Sequence, residues 1–261
     1  MFDFHIHTDI SYDGRTTGEA VVRSAVKAGL KQICFTDHLD YDPLDPSHRL
    51  DFDTEAYNAA YDHLRADGLE IFHGCEFGML TDTPQVLKKD LQRRHFDFVI
   101  ASVHFIDGRD PYFPEFWQCH TVEQAEQRYL ETLLQCLQLH DDFAVMGHLT
   151  YISKTRYNPV KRPIVYETYR EIIDEIFKTL VRKDKGMEIN TSGVDICGVF
   201  LPELEFLRRF KELGGRIVTV GSDAHDAARV GQYCDRAIEM AREVFGYVCT
   251  FRDRTPVFHR I

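Results

Sequence analysis

Short apolar runs rich in β-branched and aromatic residues alternate along the chain with longer segments whose apolar positions recur at helical spacing. The runs at 2–7, 31–36, 70–76, 97–103, 143–148, 186–190 and 216–221 predict strands. Helices are predicted at 18–29, 54–66, 84–94, 121–140, 163–182, 202–213 and 235–245, with Thr54, Thr121 and Pro202 as start signals. Strands that alternate regularly with helices imply a parallel sheet, and at 261 residues closure into a barrel is favoured over an open doubly wound sheet. One domain covering 1–261 suits this length better than two. No strand is followed by a glycine-rich phosphate fingerprint, which counts against nucleotide-cradling folds. The segments 39–53 and 105–120 are long and rich in Pro, Asp and aromatics, and 149–162 carries a basic cluster; these three are the expected walls of a pocket.

Composition narrows the function classes. A formal charge of -11 argues against a surface that tracks a nucleic-acid backbone, so no nucleic-acid partner is expected, but it leaves room for a small anionic substrate. Bound cations would locally offset part of that charge. No run of about 18 apolar residues occurs, and the opening MFDFHIH lacks a basic stretch followed by an apolar core. The expected setting is the cytoplasm, with no membrane association. Seven cysteines form no CxxC pair, so a disulfide framework is not expected.

Residues able to bind metal stand at the C-terminal end of nearly every predicted strand. Alternation along 3–7 puts His5 and His7 on one face. Later strands end in Asp37-His38, Cys75-Glu76, His104, Gly147-His148 and Asp223-Ala224-His225. In a parallel barrel these ends share one rim, so residues scattered over the chain would converge. Each motif alone has an ordinary structural reading: a polar strand edge for the His pair, a loop carboxylate for Glu76, a hydrogen-bonded core histidine for His104 or His148. Their joint placement favours metal. Imidazole and carboxylate without thiolate suit Zn, Mn or Fe and leave open coordination positions for catalysis.

The pattern His5-x-His7, Asp37-His38, Glu76, His104, His148 and Asp223-x-His225 resembles the polymerase and histidinol phosphatase (PHP) superfamily of metallophosphoesterases. The segments 102–108 (SVHFIDG) and 188–193 (EINTSG) look like its histidinol-phosphate phosphatase branch. The resemblance implies a distorted TIM-like (β/α)7 barrel holding two to three divalent transition metals. It implies that His5, His7, Glu76 and Asp223 hold the first metal. Glu76, His104 and His148 would hold the second, with Glu76 bridging, and Asp13, His38 and His225 the third. Many relatives have His where this chain has Asp13, and Asp13 before Gly14 also suits a plain turn.

The activity implied is hydrolysis of L-histidinol phosphate, a small phosphorylated substrate, to L-histidinol and phosphate by a metal-bound hydroxide. Glu76, Asp13, His38 and Arg156 form the expected catalytic group. Of the cations Lys154, Arg156, Lys161 and Arg162, the resemblance favours Arg156 as the phosphate grip, with Lys154, Asn190 and Ser192 as further candidates for substrate binding. A solvated basic loop and ordinary turn bonding are the alternatives for these residues. Asp37 is expected to orient a neighbouring ligand or cap its strand. The aromatics Tyr112, Phe113, Phe116 and Trp117 would pack over an imidazole or anchor their own loop. The competing functions are a PHP phosphoesterase acting on nucleotides or oligonucleotides and a catalytically silent metal-binding module.

Overall fold

A computed structural model describes residues 1–43, 49–82, 84–93 and 95–261. Part of the expected pocket wall at 39–53 lies outside the described residues. The strands are β1 (Phe2–Ile6), β2 (Gln32–Phe35), β3 (His38–Tyr41), β4 (Arg49–Leu50), β5 (Glu70–Gly78), β6 (Phe98–Ser102), β7 (Val145–Met146), β8 (Gly186–Asn190), β9 (Val218–Gly221), β10 (Tyr247–Arg252) and β11 (Thr255–Arg260). The main helices are α1 (Gly18–Lys27), α2 (Thr54–Tyr61), α3 (Pro84–Arg93), α4 (Pro114–Trp117), α5 (Val122–Leu139), α6 (Arg170–Arg182), α7 (Val194–Cys197), α8 (Leu204–Glu212) and α9 (Cys234–Val244).

Strands β1, β2, β5, β6, β7, β8 and β9 pair in that order, all in parallel. The two ends of this row meet through His7 N to Ala224 O at 2.8 Å and Asp223 N to His5 O at 2.8 Å. The result is a nearly closed parallel barrel. These are the strands that the apolar runs predict. Thr121 caps α5 with a full capping box to Gln124, as its sequence suggests. At α2 the cap is Asp53 rather than Thr54, its carboxylate accepting from Ala56 N.

Two features depart from simple strand and helix alternation. After β2 the chain turns through Thr36 and Asp37 into the short β3, which pairs with the upper part of β5 and, antiparallel, with β4. At the other end, β10 and β11 form a hairpin. Its Cys249 and Phe251 pack under the barrel against Phe4, Phe72 and Phe98.

Inside the barrel, side chains alternate by the period-2 rule. Along β5 the inward positions run Phe72, Gly74, Glu76, Gly78, and along β6 Phe98 and Ile100 precede Ser102. The lower barrel is therefore aromatic and aliphatic, and the upper barrel is polar. Gly221 is demanded by this crowding: a Cβ there would lie 2.3 Å from the His5 Cβ and 2.4 Å from Glu188 Oε1. Outside, helices such as α5 and α6 lay apolar faces on the barrel, burying Tyr129, Leu133, Ile173 and Phe177.

Candidate metal centre

At the C-terminal rim the barrel gathers the ligand residues named above. His5 and His7 leave β1 on one face, with their Nε2 atoms 3.0 Å apart. Glu76 sits near the top of β5, His104 follows β6, and His148 follows β7. Asp223 and His225 follow β9, and Asp13 lies in the loop between β1 and α1.

The two oxygens of Glu76 face different ligand sets. Oε2 lies 3.2 Å from His5 Nε2 and 3.3 Å from His7 Nε2. Oε1 lies 3.3 Å from His104 Nε2 and 2.8 Å from His148 Nε2. Asp223 Oδ1 completes the first set, 3.7 Å from His5 Nε2 and 3.4 Å from His7 Nε2. A third set lies further out, where Asp13 Oδ2 stands 3.1 Å from His225 Nε2 and 3.6 Å from His38 Nε2. His7, His38 and His225 also offer atoms within 4.8 Å of one another.

These spacings fit divalent cations. Ligand atoms about 2.1 Å from one tetrahedral metal are separated by roughly 3.4 Å. The donors are nitrogen and oxygen, and the buried Nδ1 atoms of His38 and His148 lack a hydrogen-bond partner among the described residues. Sets of imidazoles and carboxylates this dense are satisfied by cations more readily than by one another.

Electrostatics points the same way. Burial opposes a charge on Glu76, but His5, His104 and His148 hold its carboxyl well below the usual range. Burial likewise disfavours the His5 imidazolium, yet Glu188, Glu76 and Asp223 raise its pKa well above the ordinary value. A metal competes for the same nitrogen as that proton, so binding weakens on acidification. Burial also opposes ionisation of Asp13, but His225 and His38 hold its carboxyl below the usual range.

A layer of buried partners orients the candidate ligands. Glu188 Oε1 binds His5 Nδ1 at 2.6 Å, while its Oε2 accepts from His148 N at 2.8 Å and from Asn190 Nδ2 at 3.1 Å. Asp40 Oδ2 binds His104 Nδ1 at 3.0 Å. Asp37 reaches His7 indirectly: it accepts from Ser11 Oγ at 2.8 Å, and that hydroxyl lies 3.2 Å from His7 Nδ1. Ser102 Oγ donates to Glu76 Oε1 at 2.6 Å. Glu188 and Asp40 are absent from the ligand pattern read in the sequence. The available signal was alternation, since each stands two residues from a polar site residue on the same strand.

The basic loop after His148 places its cations differently from the expectation built on Arg156. A 3-10 turn over Tyr151–Ser153 ends at Lys154, whose Nζ bonds Asp223 Oδ2 and, at 2.7 Å, Ser192 Oγ. Beyond it, the buried side chains of Thr155 and Asn158 both bond Ile152 O, at 3.1 and 3.0 Å. This clamp turns Arg156 outward. Its guanidinium is exposed and lies over the Tyr157 ring, with no hydrogen bond or ion pair among the described residues. Lys161 is exposed, and Arg162 pairs with Glu123 and Glu126. Ser192 Oγ lies 3.2 Å from Asp223 Oδ2. Asn190 spends its side chain on Glu188 and Ser192.

The rings over the site come from outside the aromatic cluster at 112–117. Tyr12 stacks on His38 at 5.0 Å, and Tyr151 packs on His148 at 5.0 Å. Phe116 stacks instead on His120, and Trp117 Nε1 bonds Pro111 O at 2.7 Å, so this cluster anchors its own loop.

Comparison with known proteins agrees with this geometry. The model of the PHP domain family matches residues 3–192. A probable histidinol-phosphatase of Clostridium acetobutylicum is 30% identical over 246 residues, covering 92% of each chain. The histidinol-phosphatase of Lactococcus lactis subsp. lactis is 33% identical over 232 residues, covering 87% of this chain and 85% of that one. A crystal structure of histidinol phosphate phosphatase from the same organism, complexed with zinc, L-histidinol and phosphate, superposes with a TM-score of 0.82 at 29% identity over 98% of both chains. The chain belongs to the PHP domain family.

Proposed function

We propose that this protein is a metal-dependent phosphomonoesterase that hydrolyses L-histidinol phosphate to L-histidinol and inorganic phosphate. The observation that carries the reading is the division of Glu76 between two ligand sets, the arrangement a bridging carboxylate requires. The substrate rests on the relatives named histidinol-phosphatase and on the structure that binds L-histidinol and phosphate. The whole chain is taken as one catalytic domain, supported by barrel strands drawn from Phe2 to Gly221.

His5, His7, Glu76 and Asp223 would hold one cation; Glu76, His104 and His148 a second; and Asp13, His38 and His225 a third, each zinc, manganese or iron. When bound, such cations polarise phosphoryl oxygens and lower the pKa of water. The chain's own contribution is orientation and charge. Glu188 and Asp40 fix the Nδ1 sides of His5 and His104, leaving Nε2 free for metal. Lys154, among the ligands and hydrogen-bonded to Ser192, is the cation best placed to receive the phosphoryl group. Arg156 faces solvent and is assigned no contact with the reacting atoms. Tyr12 and Tyr151 shield the histidines from water. Seven cysteines without a CxxC pair suit a reducing compartment, and the cytoplasm is the proposed one. Among the described residues no helix is long and apolar enough to cross a membrane.

The test is a panel of phosphate esters assayed after reconstitution with zinc or manganese. L-Histidinol phosphate should exceed nucleotides, simple sugar phosphates and oligonucleotides in kcat/KM by about 100-fold or more, the scale of about 3 kcal/mol of differential transition-state binding. Preference for a nucleotide or oligonucleotide overturns the substrate assignment, and inactivity on the whole panel overturns catalysis.

A further inference from the structure

Buried polar groups beneath the ligands are not equivalent. Glu188 touches one ligand ring, His5. Asp40 lies between two. Its Oδ2 is 3.0 Å from His104 Nδ1 and 3.4 Å from His38 Nδ1, and all three side chains are buried. The opposite edges of the same rings serve different ligand sets: His104 Nε2 faces Glu76 Oε1 at 3.3 Å, and His38 Nε2 faces Asp13 Oδ2 at 3.6 Å.

How Asp40 reaches both follows from the sheet. Strand β3 pairs with β5 in the register His38 to Glu76 and Leu39 to Phe77, so Asp40 comes beside Gly78. On the other side of β5, Gly78 is paired with Ser102 of β6, two residues before His104. The middle strand thus carries no side chain where the carboxylate must cross. A Cβ at Gly78 would sit 2.0 Å from Asp40 Oδ1. That Oδ1 is buried and has no hydrogen-bond partner among the described residues. A buried carboxylate oxygen left unpaired is costly, so the group is held for what its other oxygen does.

We propose that Asp40 is a shared positioning residue. One carboxylate oxygen, admitted by Gly78, fixes the ring of a ligand to the second cation and the ring of a ligand to the third, and so ties the retention of those two cations together. The carboxylate accepts from His104 Nδ1–H and faces His38 Nδ1 at 3.4 Å, where Glu76 Oε2 stands equally near; its charge favours in both imidazoles the tautomer that presents Nε2 to metal. Glu188 plays the corresponding part for one ligand ring, His5 of the first cation, while its other oxygen holds the His148 backbone N–H. The inference rests on the ligand assignment under the proposed function.

The experiment loads the protein with zinc, removes the excess, and follows zinc release to a chromogenic chelator, with bound metal counted by atomic emission. His5→Ala, His104→Ala and His38→Ala assign the release steps to the first, second and third cations. Asp40→Asn should speed the second and third steps by about tenfold or more each while leaving the first unchanged, the range seen when a ligand's hydrogen-bond partner is lost. Gly78→Ala, which displaces the carboxylate without altering charge, should speed the same two steps. Glu188→Gln should speed only the first. Near-UV circular dichroism checks that each variant keeps its packing. The proposal is overturned if Asp40→Asn changes one step or none, or if it speeds all three alike, as general loosening of the barrel would. Wild-type protein that binds only two cations defeats the ligand assignment and the shared role with it. Three cations in wild type with unchanged release from Asp40→Asn defeats the shared role alone.

Discussion

The inner and outer parts of the ligand cluster are built differently. The inner residues His5, His7 and Glu76 are 0–1% exposed and sit on or next to barrel strands. In the outer set, Asp13 is 39% and His225 31% exposed, both on loops, and only His38 belongs to a strand. Strand-borne ligands are positioned by the backbone ladder and by buried carboxylates, so the inner sites need little reorganisation when a cation arrives. Loop-borne ligands pay ordering entropy on binding and remain open to water. The inner pair should therefore bind tightly and create the reactive site, and the outer site should exchange.

The largest effect should come from Glu76, the residue proposed to join the inner pair. Glu76→Gln should lower kcat/KM by about 1,000-fold or more, because a neutral amide cannot bridge two cations. Far-UV circular dichroism should remain that of wild type. Activity within tenfold of wild type would show that the inner sites do not depend on this carboxylate.

Next comes the cation that reaches into the cluster. Lys154→Ala removes a charge-assisted contact worth about 1.5–3 kcal/mol, so kcat/KM should fall by about 10- to 150-fold. Because Nζ also bonds Asp223, metal content must be measured in the same sample. Full metal with lost turnover supports a role on the phosphoryl group; lost metal with it would make Lys154 a support for the first cation.

The outer set is tested by Asp13→Ala. Bound zinc should fall by one equivalent while the inner pair is retained, and kcat should drop by about tenfold, the size of one transition-state contact of about 1.4 kcal/mol. Loss of all cations together would erase the distinction between inner and outer.

How much of this was legible in the sequence follows the same division. The seven barrel strands announce themselves as apolar runs because both faces are buried, and the ligands stand where those runs end. Strand β3 is harder to read: only Thr36 and Asp37 separate it from β2, so 31–41 reads as one strand and its loop. The terminal hairpin turns through Asp253 and Arg254, both at positive φ, 48° and 63°. A two-residue turn of that kind favours Asn-Gly, and Asp-Arg gives little signal. Asp40 and Glu188 alternate in step with site residues, yet one carboxylate in a buried strand carries no partner in the sequence. Which cation of 154–162 turns inward depends on the clamp of Thr155 and Asn158 onto Ile152 O, a tertiary feature of the loop.

A pH effect sharpens the comparison from the rim. Burial raises the Asp110 carboxyl from the ordinary 3.8 to about 6, against the backbone N–H of Tyr112 and the charges of His104 and His38, which lower it. The native protein then holds a proton that the unfolded chain has released, so this group's contribution to stability falls as pH rises from about 3.8 to about 6. Asp110→Asn should melt at a higher temperature than wild type at pH 7, and the gap should close near pH 4. A gap that does not change with pH would place its cause elsewhere.

The smallest effect is expected at Arg156, and it is informative because the family resemblance favoured this residue as the phosphate grip. Its guanidinium is exposed, lies 5.4 Å from the Tyr157 ring centre, and is turned away by bonds that other residues of the loop make to Ile152 O. To reach the cluster it would have to break that clamp, giving up two buried hydrogen bonds at about 1 kcal/mol each. An exposed cation over an aromatic ring is worth about 0.5–1 kcal/mol, so its loss should leave the fold intact. Arg156→Ala should change kcat/KM for L-histidinol phosphate by about twofold or less, with metal content unchanged, at the salt level where Lys154→Ala is measured. Lowering the ionic strength separates contact from long-range attraction: a distant cation affects the encounter with an anionic substrate, and salt screens that effect. A twofold loss that disappears in high salt fits the outward position. A loss of tenfold or more that persists in salt would mean that substrate draws the loop inward, and the phosphate grip would pass from Lys154 to Arg156.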